Sequence, residues 1–174
     1  MGEDERRLRL EALFAAHART VLAYARRRTD PVTADDVLSD VFVVAWRRLD
    51  EVPADPAPWL LACARRVLAN QQRGEQRRAN LVERLTANTS RAQVSVELND
   101  GALAQALASL NERDREVLLL VAWEDLSAER AAAVLGCSPQ TFSVRIHRAR
   151  KRLAGALAAA DAARSPTTME ACND

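Results

Sequence analysis

Apolar residues return every three or four positions through most of this chain, the spacing of one buried helix face. Leu10, Leu13, Phe14, His17, Val21, Tyr24 and Ala25 mark the first such stripe. It predicts a helix ending near Thr29, Asp30 and Pro31, because proline cannot continue a helix and disfavours one in the residue before it. Thr33 is placed to cap a second helix, with Asp36 three residues on completing a capping box. Leu38, Val41, Phe42, Ala45 and Leu49 form its inward stripe. Pro53, Pro56 and Pro58 then break the pattern. A third helix is expected from near Trp59, through Leu60, Cys63, Ala64, Val67 and Leu68, fading around Gly74.

From 79 to 99 the periodicity weakens, and Asn88, Thr89, Ser90, Gln93 and Ser95 give the stretch the character of a flexible linker. A second block opens at Asp100 with Leu103, Leu107 and Leu110 on one face. Asn111, followed by Asp114, caps a helix that carries the apolar run at 117–123. Ser127 caps a short helix that Gly136 ends as a left-handed stop. Ser138 caps a last helix with Pro139 at its first position, where the missing N–H costs nothing. Phe142, Ile146, Ala149 and Leu153 mark its buried side. Residues after about Ala163 read as a frayed tail.

Composition points the same way. Alanine, leucine, valine and arginine dominate, with 5 glycines and 6 prolines in 174 residues, so helix formers outweigh strand formers. The expected fold class is all-α: two small helical domains joined by a flexible linker, the C-terminal one a helix-turn-helix. Their bounds are set at 8–78 and 100–160, with the linker at 79–99 and a disordered tail at 161–174. The formal net charge is only +1, so any attraction for nucleic acid is local. No apolar run is long enough to cross a bilayer, so no membrane insertion is expected. The acidic start, Met1 to Glu5, lacks the order of a secretion signal, and a cytoplasmic protein is expected. Cys63, Cys137 and Cys172 lie far apart with only His17 and His147 for company, which gives neither a zinc framework nor a disulfide scaffold. No cofactor or metal is expected.

The sharpest local pattern lies at 127–153: capped helix, glycine turn, capped helix, the layout of a helix-turn-helix whose second helix enters the major groove. With Phe142, Ile146 and Leu153 inward, Gln140, Thr141, Ser143, Val144, His147, Arg148 and Lys151 face out, flanked by Arg145, Arg150 and Arg152. No acidic residue occurs from 139 to 160. Residues near the helix start would reach base edges and later arginines would hold phosphates. Asp35, Asp36 and Asp40 look like an aspartate-rich magnesium cluster. Only Asp36 and Asp40, four apart, share a helix face, and no second metal-binding motif follows, so catalysis is not expected.

A helix-turn-helix by itself suits an ordinary repressor or activator equally well. Earlier residues discriminate. The run DDVLSDVFVVAWRRL at 35–49 resembles the polymerase-binding helix of the extracytoplasmic-function sigma factors of bacterial RNA polymerase. PWLLACARRVLAN at 58–70 resembles their next helix, followed by an arginine-rich loop to Arg78. LNERDREVLLL at 110–120 and RIHRARKRL at 145–153 are similar to their second conserved domain. Together the pieces span roughly residues 8–158 in the family's order and spacing. The resemblance implies an alternative sigma factor, not an enzyme, that binds core RNA polymerase and directs it to chosen promoter DNA. It implies that Asp36, Ser39, Asp40, Val43 and Arg47 dock on polymerase. Arg65, Arg66, Asn70, Gln72, Arg73, Arg77 and Arg78 would read and help open the −10 element. Gln140, Thr141, Ser143, Arg145, His147, Arg148 and Lys151 would read the −35 element. An anti-sigma factor is implied as a further partner. The chain departs from the family at Ser39 (usually glutamine), Arg66 (often asparagine), Ser143 (commonly arginine) and Arg130 (usually acidic). These changes bear on which promoter is chosen more than on the role. The competing reading is a helix-turn-helix regulator that binds a palindrome as a dimer and needs no polymerase contact at 35–49.

The chemistry of the implied −10 segment is consistent. Arg65, Arg66, Arg73, Arg77 and Arg78 against the single acid Glu75 suit a phosphate track beside a separated strand. Asn70, Gln71, Gln72 and Gln76 either line a pocket for a flipped base or solvate a helix end. Trp46 and Trp59 continue apolar stripes and are expected to pack, so a chain with 4% aromatics should open DNA weakly and need both promoter elements near their best sequence.

Overall fold

A computed structural model describes residues 2–83 and 101–164. Its helices are α1 (Glu3–Arg26), α2 (Pro31–Arg47), α3 (Pro56–Glu83), α4 (Gly101–Ser109), α5 (Glu112–Ala122), α6 (Ala128–Leu135) and α7 (Pro139–Arg164), with one 3-10 turn, Leu49–Glu51. The fold is all-α, as expected; no strand occurs among the described residues.

In the N-terminal block α1, α2 and α3 pack against one another. Leu13, Val21, Tyr24 and Ala25 of α1 meet Ala34, Val37, Val41, Phe42 and Ala45 of α2 and Leu60, Leu61, Cys63, Ala64 and Leu68 of α3, all buried. Each fully buried leucine or phenylalanine contributes about 1.5–3 kcal/mol, so this seam, more than propensity, holds the valine-rich α2. The start of α1 is fastened by Arg6, which donates to Asp50 (2.9 Å) and to the Trp46 carbonyl (3.0 Å).

Three boundaries differ from the sequence reading. The cap of α2 is Asp30, not Thr33: its Oδ1 accepts from the N–H groups of Val32 (3.0 Å) and Thr33 (3.1 Å), with Pro31 at the first helical position. Those bonds satisfy the helix start before Thr33 could cap it. α3 begins at Pro56 and does not fade at Gly74 but runs to Glu83. A glycine inside a helix costs only about 1 kcal/mol, too little to stop one flanked by glutamines and arginines. The arginine-rich stretch expected as a loop is therefore helical, and residues 79–83 form the end of α3. At the other end of the chain α7 runs to Arg164, so residues 161–164, expected as part of the disordered tail, are the end of a helix. The rest of the expected linker, 84–99, and the tail from 165 lie outside the described residues.

In the C-terminal block α4, α5 and α6 all pack on α7. The three expected caps are in place: Asn111 accepts from Asp114 N–H (2.9 Å), Ser127 from Arg130 N–H (3.3 Å) and Ser138 from Thr141 N–H (3.2 Å). Arg115 closes the end of α4 by donating to the carbonyls of Leu107 (2.9 Å), Ala108 (2.9 Å) and Leu110 (3.0 Å), where the helix dipole favours a cation. The blocks are not separate bodies on a string. α6 packs on α3, and buried residues of both blocks form one continuous cluster.

Gly136 ends α6 with φ +64° and open space around its Cα. Gly136→Ala therefore costs backbone strain alone, about 1 kcal/mol net. Thermal denaturation should show a melting point lower by roughly 2–4 °C with unchanged helix content; an unchanged melting point would refute the left-handed turn.

Candidate nucleic-acid interface

Three exposed stripes arise from the way the helices bury their opposite sides. On α7, Ser138 and Pro139 fix the start, Phe142 and Ala149 are buried, and Ile146 and Leu153 are half-buried. The remaining arc therefore points outward, and Gln140, Thr141, Ser143, Arg145, His147, Arg148 and Lys151 are all exposed on it. Val144, 50% exposed, adds an apolar knob of the kind that meets a thymine methyl. The positive end of the helix dipole lies at the same end as Gln140 and Thr141. Two hydroxyls already have internal partners: Ser143 Oγ donates to the Pro139 carbonyl (3.0 Å), and Thr141 Oγ1 lies 2.9 Å from Ser138 Oγ. Arg152, a flanking arginine in the sequence reading, is held by Asp114 of α5, which also accepts from Asn111 Nδ2 (2.6 Å). Its guanidinium is part of the scaffold.

On α3, Arg66, Asn70, Arg73 and Arg77 recur at helical spacing, with Arg65 and Gln72 alongside, and all are exposed. The row extends about 17 Å along the axis, which a loop would not hold straight. Arg73 donates to Asn70 Oδ1, and Arg77 Nε to the Arg73 carbonyl (3.2 Å). The side chains of Gln76 and Arg78 lie outside the described residues. Gln71 is turned partly inward, its Oε1 buried without a partner. Trp46 and Trp59 are half-buried against the core, with Arg6 5.2 Å from the Trp46 ring centre and Arg48 6.0 Å from that of Trp59.

On α2, Asp36, Ser39, Asp40, Val43 and Arg47 are all exposed, Asp36, Asp40, Val43 and Arg47 at spacings of three and four with Ser39 beside Asp40. Asp35 lies to one side, 3.6 Å from Arg26. The sequence reading missed Phe14. Placed there on the buried side of α1, it is 47% exposed, its ring edge-on to Phe42 at 4.8 Å between centres. Leu10, Glu11, Phe14 and Phe42 line a shallow groove beside it. The adjacent pair Leu13 and Phe14 was the available signal, since neighbouring residues lie 100° apart on a helix and one must sit at the stripe's edge.

Among the described residues no three His, Cys, Asp or Glu side chains gather as a metal site, and no helix is long and apolar enough to cross a membrane. Burial raises the Cys63 thiol above its ordinary range, with Arg66 and Arg48 pulling the other way, so little of it is reactive thiolate at neutral pH.

Residues 13–78 match the family model for sigma-70 region 2, and residues 100–153 that for sigma-70 region 4. The RNA polymerase sigma factor CnrH of Cupriavidus metallidurans is 33% identical over 161 residues, covering 83% of this chain and 84% of that one. The ECF RNA polymerase sigma factor SigC of Mycobacterium tuberculosis is 31% identical over 151 residues, covering 83% and 80%. In fold, the chain is similar to the sigma factor RpoE solved in complex with the anti-sigma factor NepR from Bartonella quintana. That likeness has a TM-score of 0.65 at 24% identity, covering 85% of this chain and 96% of that one.

The difference between Arg148 and Arg152 is measurable. Arg148→Ala should lower the slope of log affinity for duplex DNA against log salt by about 0.9, as for one lost phosphate contact. Arg152→Ala should leave that slope nearly unchanged and lower the melting point by roughly 2–4 °C, because the Asp114 carboxylate loses its cation at about 1 kcal/mol. Equal slopes for both variants would contradict the assignment.

Proposed function

Since the chain belongs to the sigma-70 family, in its extracytoplasmic-function branch, we infer how its three exposed stripes divide the work of initiation. It is an alternative sigma factor: it binds core RNA polymerase and directs promoter-specific transcription initiation, and it is not an enzyme. The competing reading, a helix-turn-helix regulator working without polymerase, does not account for the region 2 match at 13–78.

In this reading Asp36, Ser39, Asp40, Val43 and Arg47 of α2 dock on core polymerase, with the half-exposed Phe14 giving the surface an apolar flank. Arg65, Arg66, Asn70, Gln72, Arg73, Arg77 and Arg78 of α3 track and help open the −10 element. Gln140, Thr141, Ser143, Arg145, His147, Arg148 and Lys151 of α7 read the −35 element. The observation that carries the assignment is the exposure of each stripe on a helix whose opposite side is locked in the core. A cation row along α3 holds a separated strand by its phosphates, and base edges need the amides and hydroxyls interleaved with it. The work is done in the cytoplasm, where polymerase is. An anti-sigma factor of this chain's own would act by covering the docking stripe.

Reversing charge on the docking stripe tests the division. Asp36→Lys combined with Asp40→Lys should weaken association with core polymerase roughly 10- to 100-fold, with helix content preserved and run-off transcription reduced in proportion. Unimpaired association would remove α2 from the interface. Permanganate footprinting tests the α3 assignment. With Trp46 and Trp59 committed to packing, opening should drop sharply at promoters mismatched in either element, and efficient opening there would refute it.

A further inference from the structure

At one contact between the blocks Tyr24, Arg27 and Arg28 bond to Glu116 and Glu124. At another, α6 packs on α3, and a cleft of about 520 Å³ remains between them. That size falls within the range of small-molecule sites, about 300–1,000 Å³. Its apolar lining is Pro53, Pro58, Trp59 and Ala62 from one block and Ala133 from the other. Pro58 is buried and Trp59 half-buried, so the indole is fixed by its packing and still gives part of its surface to the cleft.

Three arginines and two acids complete the lining, and their pairing decides what the cleft would accept. Arg130 is bound by Asp55 through two bonds of 2.9 Å, and Arg48 Nε donates to Glu51 (3.0 Å). Arg66 is exposed and has no ion pair with the described acids. One uncompensated cation therefore stands beside an aromatic wall. Arg48 and Arg66 both lie near enough to the buried Cys63 thiol to act on it, which puts the two cations on the same side of the site. Arg48 is 6.0 Å from the Trp59 ring centre, at the outer limit of cation–π attraction, so a planar guest displaces that contact at little cost. Glu129 sets the opposite limit. Hydrogen bonds from its own N–H and from Ser127 hold its carboxyl below the ordinary range, so it is charged at neutral pH. A guest with one negative charge is matched by Arg66, and a second charge would meet Glu129.

We propose that this cleft binds a small planar aromatic monocarboxylate, its ring against Trp59 and its carboxylate accepting from the Arg66 guanidinium. Stacking on the indole and a two-bond guanidinium–carboxylate pair supply the attraction. The site is open to solvent, so the dissociation constant should be on the order of 0.1 mM. Occupancy has a consequence for the chain. Arg66 also belongs to the row that tracks the −10 element, and a bound carboxylate withdraws that cation from DNA. Initiation would then fall as the ligand rises. This consequence rests on the sigma reading of α3, and the binding itself does not.

The test is calorimetric titration of the full chain with 2-naphthoate as the probe. The wild type should bind it at a single site. The amide of the same ring, without the charge, and 2-naphthyl phosphate, with a second charge, should each bind about tenfold more weakly. Arg66→Ala should weaken 2-naphthoate about tenfold, and Arg66→Lys should recover part of the loss. Ala133→Phe, which fills the cleft from α6, should abolish binding with helix content preserved; if helix content falls, the exposed Arg66 variants decide the matter. In run-off transcription on core polymerase, 2-naphthoate at about ten times its dissociation constant should raise the half-maximal chain concentration about three- to tenfold, and Ala133→Phe should not respond to it. No binding by the wild type, or equal binding by Arg66→Ala and Ala133→Phe, would overturn the site. Binding without loss of transcription would overturn the withdrawal of Arg66. Failure of the wild type to initiate without the probe would instead strike the sigma reading, and calorimetry would still decide whether the site exists.

Discussion

One helix has to be gripped along one side and left bare along the other, and the C-terminal block is arranged around that demand. α4, α5 and α6 all pack on α7. Phe142, 1% exposed, anchors the contact and contributes about 2–3 kcal/mol by its burial. Because Phe142, Ile146, Ala149 and Leu153 fix the rotation of the helix about its axis, they also fix which residues are left exposed. The arc proposed to read bases is what packing leaves over. Arg152 on Asp114 adds a second fix further along, tying the arc to the start of α5. A change in the core of this block is therefore a change in aim as well as in stability.

The same logic explains what could be read from the sequence. Caps and stops are local: Asn111, Ser127, Gly136 and Ser138 each act within three residues, and each stands where the pattern put it. Misplaced boundaries came from choices between neighbours. Thr33 and Asp30 are both capable caps, and Pro31 tips the balance by favouring the first helical position. Gly74 looked like a stop, yet a single glycine is a small penalty against continued helix formers on either side. Phe14 fell on a stripe wider than the seam that covers it, and periodicity alone does not say which edge is left uncovered. The three exposed stripes were legible because they are complements of buried ones.

The contact between the blocks was not legible at all. Its partners are separated by 88 to 97 positions, and no hydrophobic rhythm marks them. Arg27, Arg28, Glu116 and Glu124 have the appearance of solvated charges on helix surfaces, as most such residues are. Arg130 was visible as a departure from the family's usual acid, but a departure alone does not name its partner. Asp55 supplies it. An acid at 130 would face Asp55 with like charge, so the substitution and the bridge belong together.

Total charge hides this arrangement. A net charge of +1 would describe a protein with no preference for nucleic acid if its ions were mixed evenly, and they are not. Carboxylates are placed against Arg6, Arg7, Arg26, Arg27, Arg28, Arg48, Arg130 and Arg152, the arginines that hold helices and blocks together. Arg65 and Arg66 on α3, and Arg145, Arg148 and Lys151 on α7, form no ion pair with the described acids and face solvent. Acidic side chains thus neutralise cations that hold the structure and leave uncovered those proposed to serve recognition. The field near each reading helix is set over about one Debye length, about 8–10 Å, so it follows the local excess and not the sum. Under the proposed division of work each face alone offers few unpaired cations and the two together offer enough, so the free chain is expected to bind weakly, and firmly only once both helices are aligned on one partner.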